Sequence, residues 1–421
     1  MKRFIWTLGL ISAISCTKSD APTPSTQTPT SPVVVTPITP APCTFTPISN
    51  INKKTSHYNP YFVPFTDYWA LANDKAVKYS CTGITGRTFL NINNNNIPDL
   101  VITVTNGCAY NKGKTFVYID NVLKWTFEDP QILTRKIVRG DLNEDGSDDV
   151  VLFGTGYDAP PFPGEKNYII YFKPDSYSIV ELDNSIAYTH GGTMGDINND
   201  GHLDVIPVPN QIKDCYAFLG DGKGNFTKSK LFNGTYTENA FHSELYDINN
   251  DGNLDMIMGG HEWDYPTRIL LGDGKGGFGS ETIIPAVVGW GTITDFDFYD
   301  LDKDGTEELI ITRTSGSTGS GASGVKKNPG GFYDDFRIQI LKKSGNTYVQ
   351  TGLLVSPSGW ENTWIQWIDW TSVVDIDGDC NLDIVPDSEN LNEVNYSELK
   401  AFNKLYYKGD GKGGFVISYK K

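Results

Sequence analysis

A nine-residue acidic pattern recurs along this chain about every 50 residues, and a repeat of that length admits few architectures. Five copies are clear: Asp141-Leu-Asn-Glu-Asp-Gly-Ser-Asp-Asp149, Asp196-Ile-Asn-Asn-Asp-Gly-His-Leu-Asp204, Asp247-Ile-Asn-Asn-Asp-Gly-Asn-Leu-Asp255, Asp300-Leu-Asp-Lys-Asp-Gly-Thr-Glu-Glu308 and Asp375-Ile-Asp-Gly-Asp-Cys-Asn-Leu-Asp383. A degenerate copy, Asn91-Ile-Asn-Asn-Asn-Asn-Ile-Pro-Asp99, precedes them. The starts fall at 91, 141, 196, 247, 300 and 375. The one long interval holds a Gly/Ser-rich insertion, residues 314–331, and setting it aside restores the period.

A short apolar run follows each copy, for example Val150-Val-Leu-Phe153, Met256-Ile-Met258 and Leu309-Ile-Ile311. Such runs suit strands buried on both faces. Further on, three tight turns are nearly identical: Gly220-Asp-Gly-Lys-Gly-Asn-Phe226, Gly272-Asp-Gly-Lys-Gly-Gly-Phe278 and Gly409-Asp-Gly-Lys-Gly-Gly-Phe415. Their glycines supply the positive φ of a hairpin. Each period therefore reads as strand, acidic loop, strand, strand, turn, strand. Four antiparallel strands per repeat is an all-β design, the blade of a β-propeller.

The loops carry oxygen donors at positions 1, 3, 5 and 9, with position 7 placed to turn its carbonyl inward. The candidate ligands are Asp141, Asn143, Asp145, Ser147 and Asp149; Asp196, Asn198, Asp200, His202 and Asp204; Asp247, Asn249, Asp251, Asn253 and Asp255; Asp300, Asp302, Asp304, Thr306 and Glu308; and Asp375, Asp377, Asp379, Asn381 and Asp383. Asn91, Asn93, Asn95 and Asp99 form a weak copy with one acid. Hard oxygens in a tight loop suit Ca²⁺, about five ions in all, rather than zinc or a redox metal. One such loop alone would read as an ordinary Asx turn. Five in register cluster acids that would repel one another without a cation. An EF-hand is excluded, because position 12 is Leu152, Pro207, Met258, Ile311 or Pro386 in place of Glu, and the flanks read as strands.

The N-terminus reads as a targeting segment. Lys2 and Arg3 precede an apolar run, residues 4–14, that is too short to span a bilayer. Ala13-Ile14-Ser15-Cys16 resembles the lipobox of bacterial lipoproteins, with Cys16 the lipidated residue; cleavage of an ordinary signal peptide nearby is the alternative. The expected organisation is a signal peptide over 1–15, a Thr/Pro-rich tether over 16–47 and a propeller over 48–421. This places the domain outside the cytoplasm, anchored to a bacterial outer membrane at the cell surface or its periplasmic face. The formal charge of −16 argues against nucleic acid and against any membrane contact beyond the lipid anchor. Besides Cys16, Cys43, Cys81, Cys108, Cys215 and Cys380 make an odd set, so at least one stays unpaired.

The loops resemble those of FG-GAP/VCBS repeats, the calcium-binding blades of integrin α-chain propellers and of many bacterial surface proteins. The Asp-x-Asn-x-Asp-Gly-x-x-Asp half of the motif is well kept over about residues 80–420; of the other half only Phe153-Gly154 remains. The resemblance implies a seven-bladed propeller, with six blades the alternative. Residues 48–78 would supply strands of a seventh, metal-free blade, closed by residues 415–419.

Ligand-binding candidates are His190, His242, His261, Trp263, Tyr265 and Trp364, since exposed aromatics beside Asp and Asn suit sugar stacking. No nucleophile elbow, phosphate loop or zinc signature is present. The favoured expectation is a non-enzymatic binding or adhesion module for glycan or protein. The alternative is a polysaccharide lyase, which would need His190, His242 or His261 as base beside Arg135 or Arg268.

Overall fold

A computed structural model describes residues 84–419 except 96, 98, 107–110, 159, 210–214, 232–239, 263, 316–334, 361–367, 369, 388–401, 403 and 404. Its strands form six four-stranded antiparallel sheets. Blade one holds β1 (Ile84–Leu90), β2 (Asp99–Asn106), β3 (Asn111–Ile119) and β4 (Val122–Glu128). Blade two holds β5 (Thr134–Gly140), β6 (Asp149–Gly154), β7 (Tyr168–Lys173) and β8 (Ser176–Glu181). Blade three holds β9 (Thr189–Gly195), β10 (Asp204–Pro209), β11 (Tyr216–Gly220) and β12 (Phe226–Lys230). Blade four holds β13 (Ala240–Tyr246), β14 (Asp255–Gly260), β15 (Arg268–Gly272) and β16 (Phe278–Ile283). Blade five holds β17 (Thr292–Tyr299), β18 (Glu308–Thr314), β19 (Phe336–Ser344) and β20 (Thr347–Val355). Blade six holds β21 (Trp370–Val374), β22 (Asp383–Asp387), β23 (Leu405–Gly409) and β24 (Phe415–Tyr419).

The first strands are innermost and touch one another in chain order, while the fourth strands face solvent. Apolar residues fill every gap between neighbouring blades. Val117 and Val150 meet between blades one and two, and Phe153 and Val205 between two and three. Ile206 and Met256 meet between blades three and four, Ile257 and Leu309 between four and five, and Ile310 and Ile384 between five and six. The ring closes where Ile376, Val385 and Tyr406 of the last blade pack on Phe89 of the first. The structure is thus a β-propeller with six blades among the described residues, the alternative count rather than the first expectation. Residues 48–78, the proposed source of a seventh blade, lie outside the described residues. Residues 415–419 do not close such a blade: the Gly409–Phe415 hairpin keeps β24 on β23 of its own sheet. The insertion starts at Thr314, the last residue of β18, and precedes β19. Cys215 is free and buried, so one cysteine is unpaired as expected, and Cys380 is disulfide-bonded.

Each acidic loop joins the first strand of a blade to the second. The third strand is pressed against it. A Cβ on Gly220, Gly272 or Gly409 would stand 2.2, 2.1 or 2.1 Å from the carbonyl oxygen of Leu203, Leu254 or Leu382. That contact is backbone and cannot swing aside. We therefore expect Gly272→Ala to destabilise the protein by about 1–3 kcal/mol in urea unfolding, while Gly279→Ala, with nothing closer than 4.0 Å, changes it by less than about 0.5 kcal/mol. Equal effects would show that the loop and third strand are not in close contact.

Candidate functional site

All five complete loops fold by one hydrogen-bond scheme. The position-1 carboxylate accepts the N–H groups of positions 5 and 6: Asp196 takes Asp200 at 3.2 Å and Gly201 at 2.9 Å, and Asp300 takes Asp304 at 3.1 Å and Gly305 at 2.9 Å. Asp141, Asp247 and Asp375 do the same. The side chain at position 3 accepts from position 5, and position 5 from position 7, as in Asn249, Asp251 and Asn253. Asn143 to Ser147, Asn198 to His202, Asp302 to Thr306 and Asp377 to Asn381 follow suit. These bonds turn the chain sharply. Position 6 has a positive φ in every complete loop, from Gly201 at 93° to Cys380 at 69°. Cys380 is thus an L-residue held in the region that favours glycine.

The position-9 acid is the buried member. Asp204 accepts Ile197 N at 3.0 Å with one oxygen and Gly220 N, at the end of β11, at 2.9 Å with the other. Asp149, Asp255 and Asp383 bridge their loops to β7, β15 and β23 in the same way, and Asp99 bridges Ile92 to Asp120. Glu308 takes Leu301 N. Burial pushes Asp149 up to about 8, Asp204 and Asp383 to about 7 and Asp255 to about 6, despite the N–H groups that favour the anion.

The donors fit a hard divalent cation. Asp300, Asp302 and Asp304 have carboxylate oxygens within 4.8 Å of one another, as do Asp375, Asp377 and Asp383. In the loops at 141, 196 and 247 an Asn amide takes position 3 beside the same acids. The ring of His202 turns away to Glu144 of the preceding loop, Nδ1 to Oε1 2.9 Å. The weak loop is closed differently. The amides of Asn93 and Asn95 donate to Asp120 at 3.0 and 2.6 Å, so hydrogen bonds stand where the other loops gather acids.

The opposite ends of the innermost strands hold the ligand candidates. His190 and His242 sit near the starts of β9 and β13, and His261 follows β14. The rings form a row. Phe162 packs on Tyr188 at 5.3 Å, Tyr188 on His190 at 5.0 Å, His190 on Phe241 at 4.8 Å and Phe241 on His261 at 4.2 Å. Phe162 and Tyr265 are 39 % and 37 % exposed beside this row's loops. Burial, with Arg135 adding to it, pushes the His190 imidazole down to about 3; burial and His190 do the same for His261, and His242 is lowered too. All three are neutral at neutral pH. Arg135 is paired with Asp158, which also accepts from the Tyr188 hydroxyl. Burial raises Asp158, but Arg135 and Tyr188 outweigh it and hold its carboxyl low. Arg268 lies over the Tyr265 ring at 5.5 Å and 3.3 Å from Glu281. Neither arginine is free to neutralise a substrate acid beside the histidines. Trp263 and Trp364 lie outside the described residues. Trp360 is fully buried between Phe336 and Phe402, a packing residue of the last blade.

Between the two ends, the inner strands bring together residues that sequence reading passed over. Lys136 on β5 contacts Glu244 on β13 and donates to Ser243 O at 3.1 Å. Asp295 and Asp297 on β17 accept from the Thr371 N–H at 3.1 Å and its hydroxyl at 2.8 Å. Burial raises both carboxyls, Asp295 to about 7 with Lys136 opposing, while Asp295 adds to the rise at Asp297. The signal was in the sequence, since Thr294-Asp-Phe-Asp-Phe298 alternates two acids on one strand face.

Residues 196–258 and 247–311 match the FG-GAP-like repeat family, so the chain carries FG-GAP-like repeats. No curated protein matches it. Among solved structures it is similar to a provisionally assigned 6-phosphogluconolactonase from Bacteroides uniformis, at 9 % identity over 79 % of this chain and 83 % of that one, TM-score 0.44. It is also similar to BBS1N crystallised with ARL6DN, at 8 % identity over 73 % and 76 %, TM-score 0.43. A third is the exotype rhamnogalacturonan lyase YesX, at 10 % identity over 74 % and 71 %, TM-score 0.37. Likenesses this distant carry no argument about activity.

The buried position-9 acids set a pH dependence. In chelator they hold protons near neutrality that an unfolded carboxylate, near 3.8, has released. The folded state then binds more protons than the unfolded one, so stability falls as pH rises toward about 8. The histidines oppose this only below about 6.5, where unfolded imidazoles take up protons. The metal-free melting temperature should therefore drop between about pH 7 and 8.5. A rise over that interval would contradict the burial of these carboxylates.

Proposed function

We propose that this chain is a calcium-stabilised binding module. Calcium in the acidic loops pins the blades at one end, and the mouth at the other end recognises a glycan on a cell surface or in the periplasm. Cys16 anchors the module by a lipid and residues 16–47 hold it away from the membrane. The observation that carries the reading is the row Phe162–Tyr188–His190–Phe241–His261 with Tyr265 nearby. Flat, partly exposed rings over neutral imidazoles suit the apolar face and hydroxyl edge of a sugar. The ions would supply only positive charge among buried oxygens, stabilising the folded state by mass action. A lyase needs an unpaired cation beside its base, and the pairing of Arg135 with Asp158 works against that reading.

A glycan array probed with the full chain tests the ligand class. Binding that is lost in Phe162→Ala plus Tyr265→Ala, with an unchanged melting temperature, is the expected result. Failure to bind any glycan, or binding indifferent to both substitutions, would contradict it, and ultraviolet-absorbing unsaturated products would show a lyase. Separately, removing calcium with chelator should lower the melting temperature by several degrees, since each site filled at 100 times its Kd contributes about 2.7 kcal/mol. An unchanged melting curve would refute the calcium assignment.

A further inference from the structure

On the third strand of blades two to six, the residue that follows the one paired with the second strand differs from blade to blade, and its identity divides the acidic loops into two kinds. Strand register sets Val205 opposite Phe218, Met256 opposite Leu270, Leu309 opposite Leu341 and Ile384 opposite Tyr407. The next residue along is Leu219, Leu271, Lys342 or Lys408 respectively. Blade two has Tyr171 there, which donates to Gly224 O at 2.9 Å.

The two lysines occupy the oxygens of their loops. Lys342 Nζ lies 2.6 Å from Asp302 Oδ2, 2.6 Å from Asp304 Oδ2 and 3.2 Å from Glu308 Oε1, and its side chain is 25 % exposed. Lys408 Nζ contacts Asp377 Oδ2 and lies 2.8 Å from Asp379 Oδ2. These are positions 3, 5 and 9 of one loop and 3 and 5 of the other. Lys303 adds a second ammonium to the last loop, 2.8 Å from Cys380 O and 2.7 Å from Asn381 Oδ1. Loop composition follows the lysine. Position 3 is Asp302 and Asp377 where lysine is present, and Asn143, Asn198 and Asn249 where it is absent. The extra acid and the extra cation occur together. A dication entering these loops must break charge-assisted hydrogen bonds and meet a like charge tethered a few ångströms away. Lys173, by contrast, is 65 % exposed and 3.6 Å from Asp145, a surface pair of small worth.

We propose that Lys342 and Lys408 are built-in cations that take the place of calcium in blades five and six, confining tight calcium binding to the loops at 141, 196 and 247. This rests on the calcium reading above. The test is elemental analysis of the full chain after dialysis at about 10 µM free Ca²⁺, in the sensor range. About three ions per chain are expected in the natural protein and about five in the K342M/K408M double variant. Five in the natural protein, or three in both, overturns the lysine proposal and leaves the calcium reading standing. None in either overturns the calcium reading itself. Hydrogen exchange on the natural protein gives a second readout that needs no variant. Chelator should strip protection from the Gly201 and Gly252 amides, which donate to Asp196 and Asp247, and spare Gly305 and Cys380. Equal loss at all four would overturn it.

Discussion

A buried carboxylate at the ninth loop position ties each blade together. In five of the six blades one oxygen holds the second residue of the loop and the other holds the end of the third strand. Loop shape and sheet packing are thereby one structure. Hydrogen bonds to a charged group contribute about 1.5–3 kcal/mol each, but only if the charge itself is tolerated. Burial opposes that charge, as the raised carboxyls show. Above neutral pH, where these carboxyls lose their protons, a positive charge standing among the oxygens offsets that cost. The structure shows lysines doing so in two loops, and the chemistry of the others fits a metal ion.

The acidic loops and the aromatic row stand at opposite ends of the blades. The acidic loops all leave the same end of the inner strands, whereas the aromatic and histidine row lies where those strands begin. The fully buried pair of Arg313 and Glu262, 2.9 Å apart, fixes the loop after His261 to blade five. Arg313 also donates to Gln339 at 2.8 Å and to Trp290 O at 3.1 Å, so this charge is well satisfied. A rigid support of that kind keeps rings in place without a ligand.

Much of the fold could be read in the sequence because the repeat encodes it locally. The alternation of acid, turn and buried strand is visible in Asp196–Val208 and again in Asp247–Met258 without any knowledge of distant contacts. Blade number was less legible. It depends on whether Phe89 meets Ile376 or a further sheet, and that contact joins residues at opposite ends of the repeat. The acidic loops were legible by position, while the lysines were not, because Lys342 lies 34 or more residues beyond its loop and only strand register brings it back. The same holds for the inner cluster of Lys136, Glu244, Asp295 and Asp297, assembled from three blades.

The most direct measurement is anomalous diffraction at long wavelength from crystals grown with calcium. The account predicts difference peaks among the position 1, 3 and 5 oxygens of the loops at 196 and 247. Featureless maps at both loops, with the acids closed on hydrogen bonds alone, would contradict it.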